Sequence, residues 1–218
     1  MAIDGPAGAG KSTLARRIAE KLGYLYIDTG AMYRAVALWA LRAGVALSDM
    51  HRLEQLANAA RIEFVPGDSK VFLNDEDVSQ AIRSPEVGSA ASQVSLVPAV
   101  RRALVTKQRA MGERASVVME GRDIGSVVFP NATVKIFLDA QPEVRAQRRS
   151  IETALPEAEV AGQIEERDRR DRTRPHSPLV QAPDAVYVDT TGLSIAEAEE
   201  ALLKIIRDRT SNGKERTE

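Results

Sequence analysis

A glycine-rich stretch near the start of the chain, GPAGAGKS at 5–12, fits the phosphate-binding pattern G-x-x-x-x-G-K-[ST]. Its glycines allow positive-φ turns that point backbone N–H groups inward, and the N-terminus of the following helix completes an anion cradle. In this pattern Lys11 bridges the β- and γ-phosphates, and the Ser12 hydroxyl binds a Mg²⁺ that the phosphates also hold. The predicted contacts with a nucleoside triphosphate here are Gly5, Pro6, Ala7, Gly8, Ala9, Gly10, Lys11, Ser12 and Thr13.

Arginines stand at the ends of several other predicted elements. Phosphoryl transfer depends mainly on positioning and charge neutralisation, and planar guanidinium groups suit both a donor γ-phosphate and a second anion. Because two polyanions held face to face need many cations, this distribution predicts an acceptor that is itself a phosphate. The arginines concerned are Arg34, Arg101, Arg122, Arg148, Arg167 and Arg174.

The same residues are also compatible with ordinary surface structure. The plainer alternatives are a solvated helix face at Arg148 and Arg149, i,i+4 surface pairs within 167–174, a helix surface at Tyr33 and Arg34, and a turn at Arg122 and Asp123. Against the second alternative, Arg167, Asp171 and Arg174 are spaced i, i+4 and i+7, so they share one helix face.

Composition limits the class of protein. The 218 residues carry 30 Lys and Arg against 31 Asp and Glu, and this net charge of −1 argues against broad nucleic-acid binding. The absence of Cys excludes disulfides and thiolate chemistry, and two His are too few for a typical zinc site. No apolar run approaches the length of a membrane span, and no signal peptide is recognisable. We therefore expect a cytoplasmic, monomeric protein with no membrane or nucleic-acid partner.

Strands alternating with helices predict an α/β fold, a P-loop three-layer α/β/α architecture with a five-stranded parallel sheet. Ligands of such sheets bind at the carboxyl ends of the strands, where the polar clusters fall. The predicted strands are 1–4, 24–27, 116–120, 134–138 and 185–189, and the predicted helices are 11–22, 31–43, 49–60, 85–94, 98–112, 142–149, 157–172 and 195–209.

Three local features refine this pattern. Short strands at 62–65 and 70–73, with a third starting at Val78, predict a small antiparallel sheet inserted among helices. Thr29 is predicted to cap the helix from 31. Residues 1–4 are fewer than the five or six usual for a buried strand, so we expect the natural chain to begin earlier.

Five stretches together resemble the bacterial cytidylate kinases of the nucleoside monophosphate kinase group. They run in the family's order, cover nearly the whole chain and are 3–12, 28–34 (DTGAMYR), 91–94 (ASQV), 120–130 (EGRDIG followed by VFP) and 166–171 (ERDRRD). The short strands at 62–79 resemble the insertion that separates this group from adenylate kinases. The resemblance implies transfer of the γ-phosphate of ATP to CMP or dCMP, giving ADP and CDP or dCDP, with Mg²⁺.

The resemblance also implies residue roles. The cytosine would be surrounded by Ser92, Arg101 and Asp123, the sugar would be met by Arg167 and Asp171, and the acceptor phosphate would be held by Arg34, Arg122 and Arg174. The CMP set is completed by Thr29 and Tyr33, and either Arg148 or Arg149 would lie near ATP. The catalytic residues would be Lys11, Arg122, Arg167 and Arg174. The chemistry agrees at Asp123, because a carboxylate accepts from the exocyclic amino group of cytosine but faces another acceptor in uracil.

The implied organisation is a core of 1–28, 95–148 and 175–210, a monophosphate-binding region at 29–94, a helical lid at 149–174 and a disordered tail at 211–218. The stretch 149–165 is shorter than in many relatives, which predicts a small lid tip and a modest closing motion. Two rivals stay open: a kinase of the same fold that uses UMP, AMP or an alcohol, and a non-catalytic nucleotide-binding or RNA-binding regulator. No Asn-Lys-x-Asp stretch of the kind that reads guanine in GTPases is present.

Overall fold

Two compact units make up the chain in the computed structural model, which describes residues 1–68 and 70–214. The first unit contains Met1–Gly23 and Val118–Glu218, and the second contains Tyr24–Val117. In chain order the strands are β1 (Ala2–Asp4), β2 (Leu25–Asp28), β3 (Ile62–Phe64), β4 (Val71–Leu73), β5 (Glu76–Asp77), β6 (Val117–Gly121), β7 (Lys135–Asp139) and β8 (Val186–Asp189). The helices are α1 (Lys11–Leu22), α2 (Thr29–Arg42), α3 (Met50–Ala59), α4 (Pro85–Val94), α5 (Pro98–Arg114), α6 (Pro142–Thr153), α7 (Glu157–Thr173) and α8 (Ile195–Lys214).

A five-stranded parallel sheet carries the polar loops. Its strand order is β2-β6-β1-β7-β8, and central β1 places Ile3 opposite Glu120 on β6 and Ile136 on β7. The central strands β1, β6 and β7 are mostly apolar and buried because both faces of the sheet are covered there; Ile3 and Leu138 are completely buried. The carboxyl ends of β1, β6 and β7 therefore deliver their loops to one edge of the sheet. This architecture confirms the predicted fold class.

Helix α1 has the bounds that the sequence predicts. Its buried face consists of Leu14, Ala15, Ile18 and Ala19, the spacing of an amphipathic helix. Gly23 ends it in the left-handed region at φ 65°, and its N–H binds the last carbonyls of the helix. Helix α1 thereby presents its N-terminus at the end of β1.

The second unit packs helices α2–α5 with the small antiparallel sheet β3-β4-β5. Its core includes the fully buried side chains of Met32, Leu53 and Leu104. Residues Ile62 and Leu73 are paired across β3 and β4, as expected for a hairpin. The predicted inserted sheet is therefore present.

The third short strand begins earlier than predicted, at Glu76 instead of Val78. Asn74 and Asp75 both have positive φ, 49° and 70°, which makes a tight two-residue turn. The chain reverses within that turn, so pairing resumes at once and Val78 is left as a buried residue after the strand.

The last helix is longer than predicted and runs to Lys214. It therefore includes the first four residues of the predicted tail, and 215–218 lie outside the described residues. The two units do not test the predicted division into core, monophosphate-binding region and lid, which stays a prediction. No helix within 1–68 and 70–214 combines the length and the apolar character needed to span a bilayer.

Candidate active site

The loop between β1 and α1 has a backbone that only glycine can supply at key positions. Gly5, Gly8 and Gly10 have φ values of 150°, 76° and 87°. A Cβ at Gly5 would lie 1.9 Å from the carbonyl oxygen of Leu138, and one at Gly8 would lie 2.8 Å from that of Arg145. The glycine spacing thus follows from the chain's path against β7 and α6, and the loop leads directly into the N-terminus of α1.

Lys11, the first residue of α1, is buried inside this loop. Its Nζ donates to the carbonyl oxygen of Pro6 at 2.6 Å. Burial, followed by the positive charge of Arg122, lowers the pKa of Lys11 to about 7, with Arg167 acting in the same direction and Glu120 opposing it. A buried ammonium crowded by two guanidinium groups is stabilised by an anion, so the loop is electrostatically prepared for a polyphosphate.

Ser12 and Thr13 follow on the first turn of α1 and are exposed. Within the residues that the structure describes, no group of three or more His, Cys, Asp or Glu could hold a metal ion. A hydroxyl at the mouth of a phosphate loop, without a carboxylate cage, fits an Mg²⁺ that arrives with the nucleotide and keeps phosphate and water ligands. Ser12 is therefore the residue available to such an ion.

A buried ion-pair cluster connects the loop after β6 with the end of α7. Arg122 Nε donates to Asp171 Oδ2 at 2.8 Å. Arg174 lies between two carboxylates, with Nη1 3.5 Å from Asp171 Oδ1 and Nη2 3.4 Å from Asp123 Oδ1. Four of the residues that the sequence singled out thus come together within one unit.

The cluster keeps its charges. Burial alone would raise the pKa of Asp171, but Arg122, Arg167 and Arg174 lower it below its ordinary value. Burial alone would lower the pKa of Arg122, but Asp171 and other nearby carboxylates raise it. Asp171 thus holds three guanidinium groups together, and two of them, Arg122 and Arg167, also act on Lys11. Planar cationic donors gathered in this way suit a second anionic ligand.

The two arginines predicted near ATP have different surroundings. Arg148 donates to the hydroxyl and the carbonyl oxygen of Thr190 at 3.0 and 2.7 Å. Its Nη1 lies 4.0 Å from the position of a Cβ at Gly10, so it borders the phosphate loop. Arg149 forms an exposed ion pair with Glu152 at 2.8 Å. The structure brings Arg148 to the loop and places Arg149 on the helix surface.

Sequence reasoning gave no role to Arg145 and Asp168, which touch the loop directly. Arg145 Nη1 donates to the carbonyl oxygen of Ala7 at 3.0 Å, and Ala7 N–H donates to Asp168 Oδ1 at 3.2 Å. A signal for Asp168 was available, because the buried residues of α7 are Val160, Ile164, Asp168 and Asp171. A carboxylate that continues an apolar stripe is buried and needs a partner.

Asp4, at the end of β1, was also missed. Its carboxylate accepts from the backbone N–H groups of Ile124 and Gly125 at 2.8 and 2.7 Å, and therefore fixes the start of the short π-helix Ile124–Val128 that follows Arg122 and Asp123. Burial raises the pKa of Asp4 to about 6, although these two hydrogen bonds lower it. The signal was an acidic residue at the end of a fully buried strand.

In the second unit, Arg34 is held at the start of α2 by Asp28. The Asp28 side chain accepts from Ala31 N–H at 3.0 Å and from Arg34 Nη2 at 2.7 Å. Asp28, and not the predicted Thr29, is therefore the N-cap: the chain is still extended at Asp28, whereas Thr29 is already helical and buried. The buried Nε of Arg34 has no hydrogen-bond partner in the described chain, which leaves a cationic donor for a ligand.

Tyr33, Ser92 and Arg101 form the remaining predicted set in this unit. The guanidinium carbon of Arg101 lies 5.4 Å from the centroid of the Tyr33 ring, a cation–π contact. Arg101 Nη1 donates to Ser95 O at 3.4 Å, and Ser95 is hydrogen-bonded to Ser92 O at 2.8 Å. A buried arginine and a buried hydroxyl at Ser92 suit the polar edge of a planar base.

Comparison with known proteins agrees with this chemistry. The family model described as cytidylate kinase matches residues 1–208. A cytidylate kinase from Solibacter usitatus is 62% identical, covering 99% of this chain and 95% of the relative. Cytidylate kinases from Pelotomaculum thermopropionicum and Syntrophotalea carbinolica are 50% and 49% identical, covering 98% and 96% of this chain and 96% and 92% of the relatives.

Proposed function

Because this chain belongs to the cytidylate kinase family, we propose that its phosphate loop holds ATP and its arginine cluster holds the phosphate of CMP. The chain is a nucleoside monophosphate kinase that transfers the γ-phosphate of ATP to CMP or dCMP. An oxygen of the acceptor phosphate forms the new bond to the γ-phosphorus, and the bond to the β,γ-bridging oxygen breaks, which gives CDP or dCDP and ADP.

The observation that supports this assignment most directly is the buried cluster of Arg122, Asp123, Asp171 and Arg174. It belongs to the same unit as the phosphate loop, and Arg122 acts on the pKa of Lys11. The Lys11 ammonium in the phosphate loop and the arginines of the cluster interact electrostatically, and this arrangement suits two phosphates that must approach each other. A kinase with an uncharged acceptor needs only one such site.

The donor side uses the glycine loop and the side chains around it. Backbone N–H groups of 5–13 and the Lys11 ammonium bind the triphosphate, with Arg148, and Arg149 after reorientation, near ATP. Ser12 would hold Mg²⁺ together with the phosphates, and that ion would supply neutralisation of charge on the transferring group. Lys11, Arg122, Arg167 and Arg174 stabilise the same charge from the protein side.

The acceptor side divides into phosphate, sugar and base contacts. In the proposal Arg34, Arg122 and Arg174 bind the CMP phosphate, and Arg167 and Asp171 bind the sugar hydroxyls. Ser92, Arg101 and Asp123 read the cytosine, and Thr29 and Tyr33 complete the set. Because the acceptor phosphate is already ionised, no general base is required.

Exclusion of water is the remaining requirement, since an exposed γ-phosphate is open to hydrolysis. We assign this task to closure of the 149–174 lid and the 29–94 monophosphate-binding region over a core of 1–28, 95–148 and 175–210. We further propose a monomeric, cytoplasmic enzyme that does not bind nucleic acid or membranes. Light scattering after gel filtration tests the monomer, and any stable dimer contradicts it.

One steady-state experiment tests the function. ADP release is followed with ATP, Mg²⁺ and each of CMP, UMP, AMP and GMP in turn. We expect CMP to be used with a kcat/KM about tenfold or more above that of UMP, the margin that one unpaired polar group provides. Equal or reversed rates for CMP and UMP would overturn the base assignment. Turnover that ignores all four monophosphates would overturn the kinase assignment.

A further inference from the structure

Both backbone polar groups of Ala7 bind a single buried ion pair. Ala7 N–H donates to Asp168 Oδ1 at 3.2 Å, and Ala7 C=O accepts from Arg145 Nη1 at 3.0 Å. The same Nη1 lies 2.5 Å from Asp168 Oδ2, so three hydrogen bonds close a ring. The ion pair therefore holds the backbone in the middle of the phosphate loop through both the N–H and the C=O of Ala7.

The ion pair comes from the two helices of the hairpin α6–α7. Arg145 lies on α6 and Asp168 on α7, and their side chains are only 7% and 10% exposed. Arg145 Nε also donates to Ala140 O at 3.0 Å, which fixes the guanidinium plane. Directly beside Ala7, a Cβ at Gly8 would lie 2.9 Å from Arg145 Cβ. Arg145, Asp168 and the loop consequently cannot change their relative position without breaking these contacts, so the proposed closure of the 149–174 lid would move the tip of the hairpin and leave this end in place.

We propose that Arg145 and Asp168 are positioning residues for phosphoryl transfer. They hold the backbone of Ala7 in the conformation that presents the other N–H groups of the loop to the triphosphate. They also set the arginine face of α7, which begins at the adjacent Arg167, relative to Lys11. This inference rests on the proposed function, because it takes the loop's ligand to be ATP.

If Asp168 and Arg145 acted only through their charges, the two substitutions would affect ATP binding differently than if the pair positions the loop. Asp168 is a carboxylate that acts electrostatically on Lys11, so its neutralisation should strengthen the binding of a polyanion if charge were its whole contribution. Replacement of Arg145 by Lys keeps the charge and should then change nothing. A positioning pair predicts weaker ATP binding in both variants. The amide of Asn has one acceptor oxygen, so its NH₂ group would face either Ala7 N–H or Arg145, and a single ammonium cannot reproduce the planar fork of Arg145.

The test uses Asp168→Asn and Arg145→Lys in the full-length protein, with Arg169→Gln as the matched control. Arg169 is the neighbour of Asp168 on α7 and forms an exposed ion pair with Glu166 at 2.7 Å. Calorimetric titration with ATP and Mg²⁺, without an acceptor, gives the affinity. We expect binding about tenfold weaker in both variants and within about twofold of wild type in the control.

Kinetics provide the second measurement. We expect KM for ATP to rise about tenfold and KM for CMP to change less than about threefold in both variants. Unchanged or tighter ATP binding in folded Asp168→Asn would overturn the proposal, even if its melting temperature falls. Unfolding of both variants at the assay temperature would also contradict it, since the pair would then determine folding. If Asp168→Asn alone fails to fold, Arg145→Lys decides.

Failure of the proposed function would be visible separately. Wild-type protein that binds ATP but does not phosphorylate CMP would remove the acceptor assignment, and calorimetry would still test the Arg145–Asp168 pair. Wild-type protein that does not bind ATP would remove the premise of both. Normal wild-type activity together with unchanged variants would remove the positioning role alone.

Discussion

Asp123 is the residue on which the proposed choice of substrate depends. Its carboxylate is buried and faces Arg174 at 3.4 Å, so it is an oriented acceptor. In Asp123→Asn the amide can rotate to offer either an oxygen or an NH₂ group, and it can then pair with uracil as well as cytosine. We expect the ratio of kcat/KM for CMP to that for UMP to fall from about tenfold or more to within about threefold. The coupled ADP-release assay measures it.

The ratio of kcat/KM for CMP to that for UMP separates recognition of the base from the loss of the Asp123–Arg174 ion pair, because that loss affects both substrates equally. Glu166→Gln serves as the control, since Glu166 is an exposed acid on α7 and its loss should leave the ratio unchanged. An Asp123→Asn enzyme that retains the wild-type preference for CMP would show that another group reads the base.

Individual elements show how far a sequence determines this structure. Helix α1 and the strands of the parallel sheet were predictable because apolar spacing and glycine positions are local signals. The cap of α2 was not, because Asp28 and Thr29 are adjacent residues that can both cap a helix, although Asp is the stronger N-cap type. The choice between them depends on where β2 ends, which pairing in the sheet decides.

Within the candidate site, too, some features could be predicted from the sequence and others could not. Arg122 and Arg174 could be named from motif and charge, but their partners are set by how α7 lies against the loop after β6. Spacing along α7 indicates that Asp168 is buried, because it continues the stripe of Val160 and Ile164. It does not show that Arg145 and Ala7 are its partners, which depends on contacts between distant segments.

Substitution of the glycines at the two ends of the loop–α1 segment, Gly5 and Gly23, is expected to reduce stability by different amounts. In Gly5→Ala the new Cβ would meet the carbonyl oxygen of Leu138 at 1.9 Å, and backbone must move. In Gly23→Ala nothing lies within 4 Å, and only the left-handed conformation at φ 65° is penalised. We expect a loss of about 3 kcal/mol or more in the free energy of unfolding for the first and about 1 kcal/mol for the second. Urea unfolding measures both.

ATP binding separates the two variants further. Gly5→Ala should lose measurable affinity, because the loop cannot keep its path against β7. Gly23→Ala, at the other end of α1, should bind ATP as wild type does. Equal losses of stability in the two variants would show that the loop relaxes around a side chain, contrary to the tight contact at Leu138.

For the whole molecule, a net charge of −1 conceals strong local separation of charge. In one unit arginines gather around Lys11 and Asp171, and they lower the pKa of Asp171. In the other unit Arg34 lowers the pKa of Asp28. Ionised carboxylates of that kind stabilise the protein above their unfolded pKa, and this contribution is lost as the pH falls. Acid should therefore unfold the protein through these groups.

Asp4 contributes to pH-dependent stability with the opposite sign. Its pKa is about 6 in the folded protein against 3.8 for the ordinary group, so between these values the folded state binds more protons than the unfolded state. Its contribution is complete below about pH 4 and is lost as the pH rises through 6. Lys11 and Asp123 are the charged groups that act on it, in opposite directions. The difference between these two pKa values corresponds to about 3 kcal/mol in the free energy of unfolding.

We expect the free energy of unfolding of Asp4→Asn, minus that of wild type, to increase by about 2 kcal/mol from pH 4 to pH 7, most of the full span. The amide also places an NH₂ group against one of the N–H groups of Ile124 and Gly125, but that cost is the same at every pH, so the slope reports the titration and the offset does not. Urea unfolding at four pH values measures it, with exposed Glu113→Gln as a control whose difference should stay flat. A flat difference for Asp4→Asn would mean that the buried carboxylate is already ionised at pH 4, with the hydrogen bonds from the 122–128 turn outweighing its burial.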